Sequence, residues 1–184
     1  SSLLRSPKMA PVSLVNPVSE IAGPVFGHNI LGELDSDLTR NFSQGNETAI
    51  GEQIIVYGQV LDENANPLPD ILIEVWQANA SGRYRHFNDN YQVPLDPNFG
   101  GCGRCMTDKQ GNYSFRTVRP GAYPWPNGGN YWRPSHIHFS IFGYSFVQRL
   151  ITQMYFEGDP LINICPIAQT VTDPKGLNSL IASL

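Results

Sequence analysis

His136 and His138, within Trp132-Arg133-Pro134-Ser135-His136-Ile137-His138-Phe139-Ser140, are the residues of this chain best spaced for metal chemistry. Alternate side chains of a β-strand share a face, so two imidazoles one residue apart can reach a single ion. Pro134 disfavours a helix at Arg133, and the β-branched and aromatic run from Ile137 to Phe142 predicts a strand. A lone HxH is more often a pair of unrelated structural histidines, so further ligands are needed to make it a site.

Two tyrosines are candidates for that role. Tyr123 lies in Arg119-Pro120-Gly121-Ala122-Tyr123-Pro124-Trp125-Pro126, where flanking prolines restrict the backbone and preorganise the phenol. Tyr84 sits between Arg83 and Arg85, whose charge favours phenolate over phenol. Considered singly, each has a plainer explanation as a ring capping the core with its hydroxyl in water. Together with the histidines they form a nitrogen and oxygen set that by count suits zinc or iron. A phenol titrates near 10, so holding two as phenolates at neutral pH calls for a strong Lewis acid, and ferric iron is the natural candidate.

Positioning such a set requires a rigid frame. The runs Ile54–Val60 and Ile71–Gln77 are strand-like and separated by the turn-rich Asp62–Pro67, which reads as a hairpin. Further strands are expected at Tyr113–Val118, His136–Phe142 and Val147–Phe156, giving an all-β fold, a mixed β-sandwich. Residues 1–50 show poor periodicity and read as an irregular, extended N-terminal arm, leaving 51–184 as the catalytic domain. Asp173 and Pro174 can open a short C-terminal helix carrying Leu177, Leu180, Ile181 and Leu184 on one side.

The remaining composition narrows the class. A 184-residue chain suffices for one well-buried domain. A net charge of -4 with no basic cluster argues against nucleic-acid or acidic-membrane partners. No run approaches the roughly 18 apolar residues of a membrane span, and the N-terminus is too short in apolar length for a signal peptide, so a cytoplasmic protein is expected. Three cysteines disfavour a disulfide framework, and Cys102-x-x-Cys105 reads as part of a glycine-rich loop, with a zinc site the weaker alternative. The sequons at Asn41, Asn46 and Asn79 carry little weight without a secretory context.

The stretches Glu74-Val75-Trp76-Gln77-Ala78-Asn79-Ala80, Gly82-Arg83-Tyr84-Arg85-His86, Leu95-Asp96-Pro97-Asn98-Phe99-Gly100-Gly101, Phe115-Arg116-Thr117 and Trp132–Phe139 resemble the intradiol ring-cleavage dioxygenases. Within that family the likeness is strongest to the β chains of the two-chain enzymes that open 3,4-dihydroxybenzoate with O2 to 3-carboxy-cis,cis-muconate, in aromatic catabolism. The resemblance implies a non-haem Fe(III) held by Tyr84, Tyr123, His136 and His138, with Tyr123 the axial phenolate that leaves when substrate binds. It makes Arg133 the fixed cation that stabilises the activated substrate, Gln153 a pocket glutamine, and Trp125 and Ile167 pocket-lining residues. It further implies a homologous α chain in a hetero-oligomer, and additional residues at both ends. Ala122 stands where the family usually has proline, and 126–131 departs from its charged pattern, which leaves catechol and hydroxyquinol open as substrates. A noncatalytic β-sandwich binding module would explain the strands alone, and would treat the four ligands as coincidence.

Overall fold

The computed structural model describes residues 31–126, 129–144 and 149–183. Among these residues nine strands form three sheets. In chain order they are β1 (Gln53–Gln59), β2 (Leu72–Trp76), β3 (Cys102–Met106), β4 (Asn112–Val118), β5 (Tyr123–Pro126), β6 (Asn130–Arg133), β7 (His136–Phe142), β8 (Arg149–Phe156) and β9 (Ile181–Ala182). The main sheet runs β3-β2-β7-β8-β9, antiparallel except for the parallel β8–β9 pair; β1–β4 and β5–β6 are two-stranded. The all-β class is as expected from the sequence.

The five-stranded sheet has two chemically different faces. Ile73, Val75, Ile137, Phe139 and Phe156 point inward and pack with Val56, Phe115 and Val118 of the β1–β4 ribbon. Phe139 meets the rings of Phe115 and Tyr113 edge-on at 5.9 and 6.2 Å, bridging the two layers. Gln77, fully buried just past β2, locks them further, donating to the Val118 carbonyl and accepting from the Thr117 hydroxyl, both at 2.8 Å. The alternate residues of the same strands, Trp76, His136, His138, Gln153 and Tyr155, occupy the outer face.

The expected hairpin of Ile54–Val60 with Ile71–Gln77 does not form. β1 pairs with β4, whereas β2 sits between β3 and β7. The Asp62 carboxylate does close the turn, accepting from the Asn64 and Asn66 backbones. A turn reverses direction without deciding sheet membership. The inner strand goes to the segment buried on both faces: β2 is buried from Ile73 to Trp76, while β1 alternates.

Three other expectations are corrected. Cys102–Met106 is a strand rather than a glycine-rich loop, and residues three apart on a strand face opposite ways, so Cys102 and Cys105 cannot chelate together. The short C-terminal helix, α1, begins at Pro174 with Asp173 as its cap, as expected, but it ends at Asn178, so Ile181 lies not on the helix but in β9 beside Tyr155. The described part of the N-terminal arm, 31–50, is not extended: it turns tightly, pairs Asp37 with Arg116 and sinks Leu38 into the core. β8 is described from Arg149, and Val147 and Leu184 lie outside the described residues. No helix among the described residues is long and apolar enough to cross a membrane.

Candidate metal centre

β7 is buried on both sides, so its outward-facing histidines are enclosed rather than solvated: His136 is 2% and His138 4% exposed. The neighbouring strands orient them. His138 lies in register between Trp76 on β2 and Gln153 on β8, and the Trp76 indole stacks flat on its imidazole at 4.9 Å. His136 Nδ1 lies 2.7 Å from the Pro134 carbonyl, a contact that places the proton on Nδ1 and leaves Nε2 with its lone pair. That Nε2 is 3.2 Å from His138 Nε2. Two facing imidazole nitrogens at this distance in a dry site require a proton or a cation between them.

An added proton, which would make either ring an imidazolium, is disfavoured there. Burial, the Arg133 guanidinium and His138 hold His136 well below the usual imidazole range, and burial with Arg133 brings His138 down to about 3. Both rings are therefore neutral: His136 presents the Nε2 lone pair, and His138, whose Nδ1 has no partner, either gives its Nε2–H to that lone pair or, as the Nδ1–H tautomer, turns Nε2 to a cation.

The two tyrosines arrive from loops on the other side. Tyr123 opens β5, opposite Arg133 in register, and its hydroxyl is 3.4 Å from His136 Nε2. Tyr84 packs edge-on against the Tyr123 ring at 5.4 Å, and its buried hydroxyl has no hydrogen-bond partner. Burial raises both phenols, Tyr84 well above 10 with a further push from Tyr123, while Arg133 partly opposes the rise at each. Without a cation these are neutral phenols, one of them stranded, at a cost of about 1–3 kcal/mol for such a group. Among the described residues no group of three His, Cys, Asp or Glu forms a metal site, so any centre here depends on the tyrosines.

Asn79 holds both tyrosine loops. Its side-chain oxygen accepts from the Ser81 and Arg83 backbones, its Nδ2 donates to the Pro94 carbonyl, and its own carbonyl accepts from Gly82 and Gly121. Gly82 has φ +85, and a Cβ there would strike the Ala122 carbonyl, so only glycine lets the loops approach. Asp159 steadies the histidine side. One carboxylate oxygen accepts from Ser135 N, the other from Leu161 N at the start of a 3-10 turn, while the Ser135 hydroxyl donates to the Pro120 carbonyl.

Arg133, the last residue of β6, is 5% exposed and donates through Nη2 to Gln153 Oε1 at 2.5 Å. Its guanidinium stands 6.0 Å from the centre of the half-buried Trp125 ring. Tyr84, Tyr123, His136, His138, Arg133, Gln153 and Trp125 thus converge. Ile167 instead caps a 3-10 turn and packs on a second cluster of Tyr155, Ile162, Cys165 and Ala168. A cleft of about 740 Å³, lined by Tyr57, Met106, Asp108 and Tyr113 among others, includes none of the converging residues. Chemistry, not concavity, marks the site.

A family model described as Dioxygenase matches residues 21–184. The chain belongs to the intradiol ring-cleavage dioxygenases. It is 53% identical over 169 residues to the protocatechuate 3,4-dioxygenase beta chain of Burkholderia cepacia, an alignment covering 92% of this chain and 72% of that one. To the protocatechuate 3,4-dioxygenase alpha chain of Pseudomonas putida it is 32% identical, over 89% of this chain and 81% of the relative. The crystal structure of 3-chlorocatechol 1,2-dioxygenase from Rhodococcus opacus 1CP superposes with a TM-score of 0.62 at 26% identity, over 83% of this chain and 58% of that one. This intradiol dioxygenase shares its strand-dominated fold with the 3-chlorocatechol enzyme. Asn79, Asp159, Trp76 and Tyr155 were missed as site residues by sequence reasoning. Only Tyr155 carried a local signal, two places after Gln153 and hence on its face.

Proposed function

We propose that the chain is the iron-bearing β chain of a protocatechuate 3,4-dioxygenase, opening 3,4-dihydroxybenzoate between its hydroxyl-bearing carbons with O2. The observation that carries this reading is the convergence of His136 Nε2, His138 Nε2 and two buried phenols within one enclosed site, with no protein partner for the Tyr84 hydroxyl. This donor set fits a non-haem ferric ion: neutral imidazoles supply nitrogen, and the phenols, ionised by a trivalent cation, balance most of its charge. When bound, the ion supplies a Lewis acid that holds the catechol as its dianion.

The residues supply the rest. Tyr123, at the start of a short two-stranded ribbon, would help hold the ion and act as a base whose phenolate oxygen takes one catechol proton, the second passing to hydroxide from solvent. Arg133, fixed by Gln153 and unable to lose its charge, stands where negative charge develops on the ring. Trp76 keeps the His138 ring in one orientation, which fixes the histidine side of the site. The partner is a homologous α chain, a reading supported by the likeness to both named chains of the protocatechuate enzyme. The odd cysteine count favours a reducing, cytoplasmic setting.

The test is oxygen uptake by iron-loaded protein on a panel of protocatechuate, catechol and hydroxyquinol, with and without a co-expressed α chain. The expected result is a red-brown protein with tyrosinate-to-iron absorption that consumes one O2 per protocatechuate. Colourless protein that binds no iron would overturn the proposal, and preference for catechol would replace its substrate.

A further inference from the structure

Arg133 is useful only if its guanidinium is held still, and its immediate tether is itself a rotatable amide. Gln153 Oε1 accepts from Arg133 Nη2 at 2.5 Å. The same oxygen accepts from the Tyr155 hydroxyl at 3.1 Å. Nothing among the described residues accepts from the Gln153 amide nitrogen. The amide could therefore flip, were it not that a flip would set its N–H groups against the guanidinium, donor against donor, and would leave the phenol without its acceptor.

Tyr155 is well placed to prevent that flip. It is 1% exposed, packs with Ile162, Cys165 and Ala168, and its backbone N–H donates to the Leu180 carbonyl at 2.7 Å. It pairs with His136 across β7–β8 and with Ile181 across β8–β9. Its ring is thus clamped by the cluster of Ile162, Cys165 and Ala168.

We propose that Tyr155 is a positioning residue for Arg133, its hydroxyl fixing the Gln153 amide so that Oε1 always faces the guanidinium. The role rests on the proposed function for its catalytic meaning, but its structural content is independent of iron. It also gives the C-terminal segment a part in the site: the segment holds Tyr155, Tyr155 holds Gln153, and Gln153 holds Arg133.

The experiment measures two quantities. In iron-free protein with 15N-labelled arginine, hydrogen exchange of the Arg133 guanidinium protons reports its tether directly. In the iron-loaded enzyme, assembled as it purifies, kcat, KM and iron content are measured. Tyr155→Phe keeps the ring and its packing, and is expected to speed Arg133 exchange and lower kcat by about tenfold each, with iron content unchanged and KM moving less than twofold. Gln153→Leu, which leaves the Tyr155 ring in place, must reproduce the exchange change, and Tyr155→Phe added to it must do nothing more. Unchanged exchange in Tyr155→Phe overturns the proposal, as do effects of the two substitutions that multiply. Altered exchange in a protein that cleaves no catechol would instead sink the proposed function and leave the tether standing.

Discussion

The two faces of the five-stranded sheet are made from the same strands, one residue out of step, and they solve opposite problems. The inner face of Ile73, Val75, Ile137, Phe139 and Phe156 is apolar, close-packed and complete in itself. The outer face buries Trp76, Glu74, His136, His138 and Ser140 almost as deeply, yet Trp76 Nε1 and His138 Nδ1 have no partner there, nor do Tyr84 Oη and Arg133 Nε beside it. Burial without satisfaction costs stability, so the inner face must supply what the outer one consumes. The lesson is that a period of two lets one strand carry both jobs, because His136 and His138 never compete for space with Ile137 and Phe139.

The sharpest way to separate the faces is to remove one residue from each. His138→Ala should abolish iron binding and reduce dioxygenase activity to background, while the iron-free protein keeps its circular dichroism; coincident loss of fold and iron would blur the division. Phe139→Ala, next along the chain but facing inward, should cost about 3–5 kcal/mol in urea unfolding. Iron content per folded molecule should hardly change.

A third test exposes the cost of the outer face. Burial raises the Glu74 carboxyl from 4.5 to about 7, against the opposing pull of Arg149 and Arg104, and Ser140 faces it across β7. Its folded value lies above its unfolded one, so the stability it allows is full below pH 4.5 and is lost as pH rises through 7. The loss is up to about 3 kcal/mol. Glu74→Gln should flatten the dependence between pH 5 and pH 8 and make the protein more stable at pH 8. Parallel curves for the two proteins would show that Glu74 is not the cause. The smallest effect is expected at Asp159→Ala, about 1–2 kcal/mol from a lost cap, with weaker iron retention because Ser135 is released beside His136.

How much of this was legible in the sequence depends on the distance over which each signal acts. The strand at His136–Phe142 and the common face of its histidines follow from local alternation and β-branching, and the structure shows both. The four candidate ligands and Arg133 came from motifs, and the fold brings them together. Sheet membership was not legible. Asp62–Asn66 announces a turn, but which sheet the next strand joins is decided by double-sided burial, a tertiary property. Cys102 and Cys105 misled for a related reason, since glycines at 100, 101 and 103 mimic a loop where the chain is an edge strand against β2. Asn79 and Asp159 were invisible because each ties its own turn to backbone far away in sequence, Gly121 for Asn79 and Ser135 for Asp159, while Tyr155 showed only its place two residues after Gln153.

Asn79 has a practical consequence for producing the protein. It is 4% exposed, yet Asn79-Ala80-Ser81 is a glycan acceptor triplet that an oligosaccharyltransferase reads on the unfolded chain. A sugar attached before folding would sit where the two tyrosine loops meet, so yeast or mammalian secretion should yield colourless aggregate. A bacterial cytoplasm should avoid that fate, and in a secreted chain Ser81→Ala should remove the glycan at Asn79.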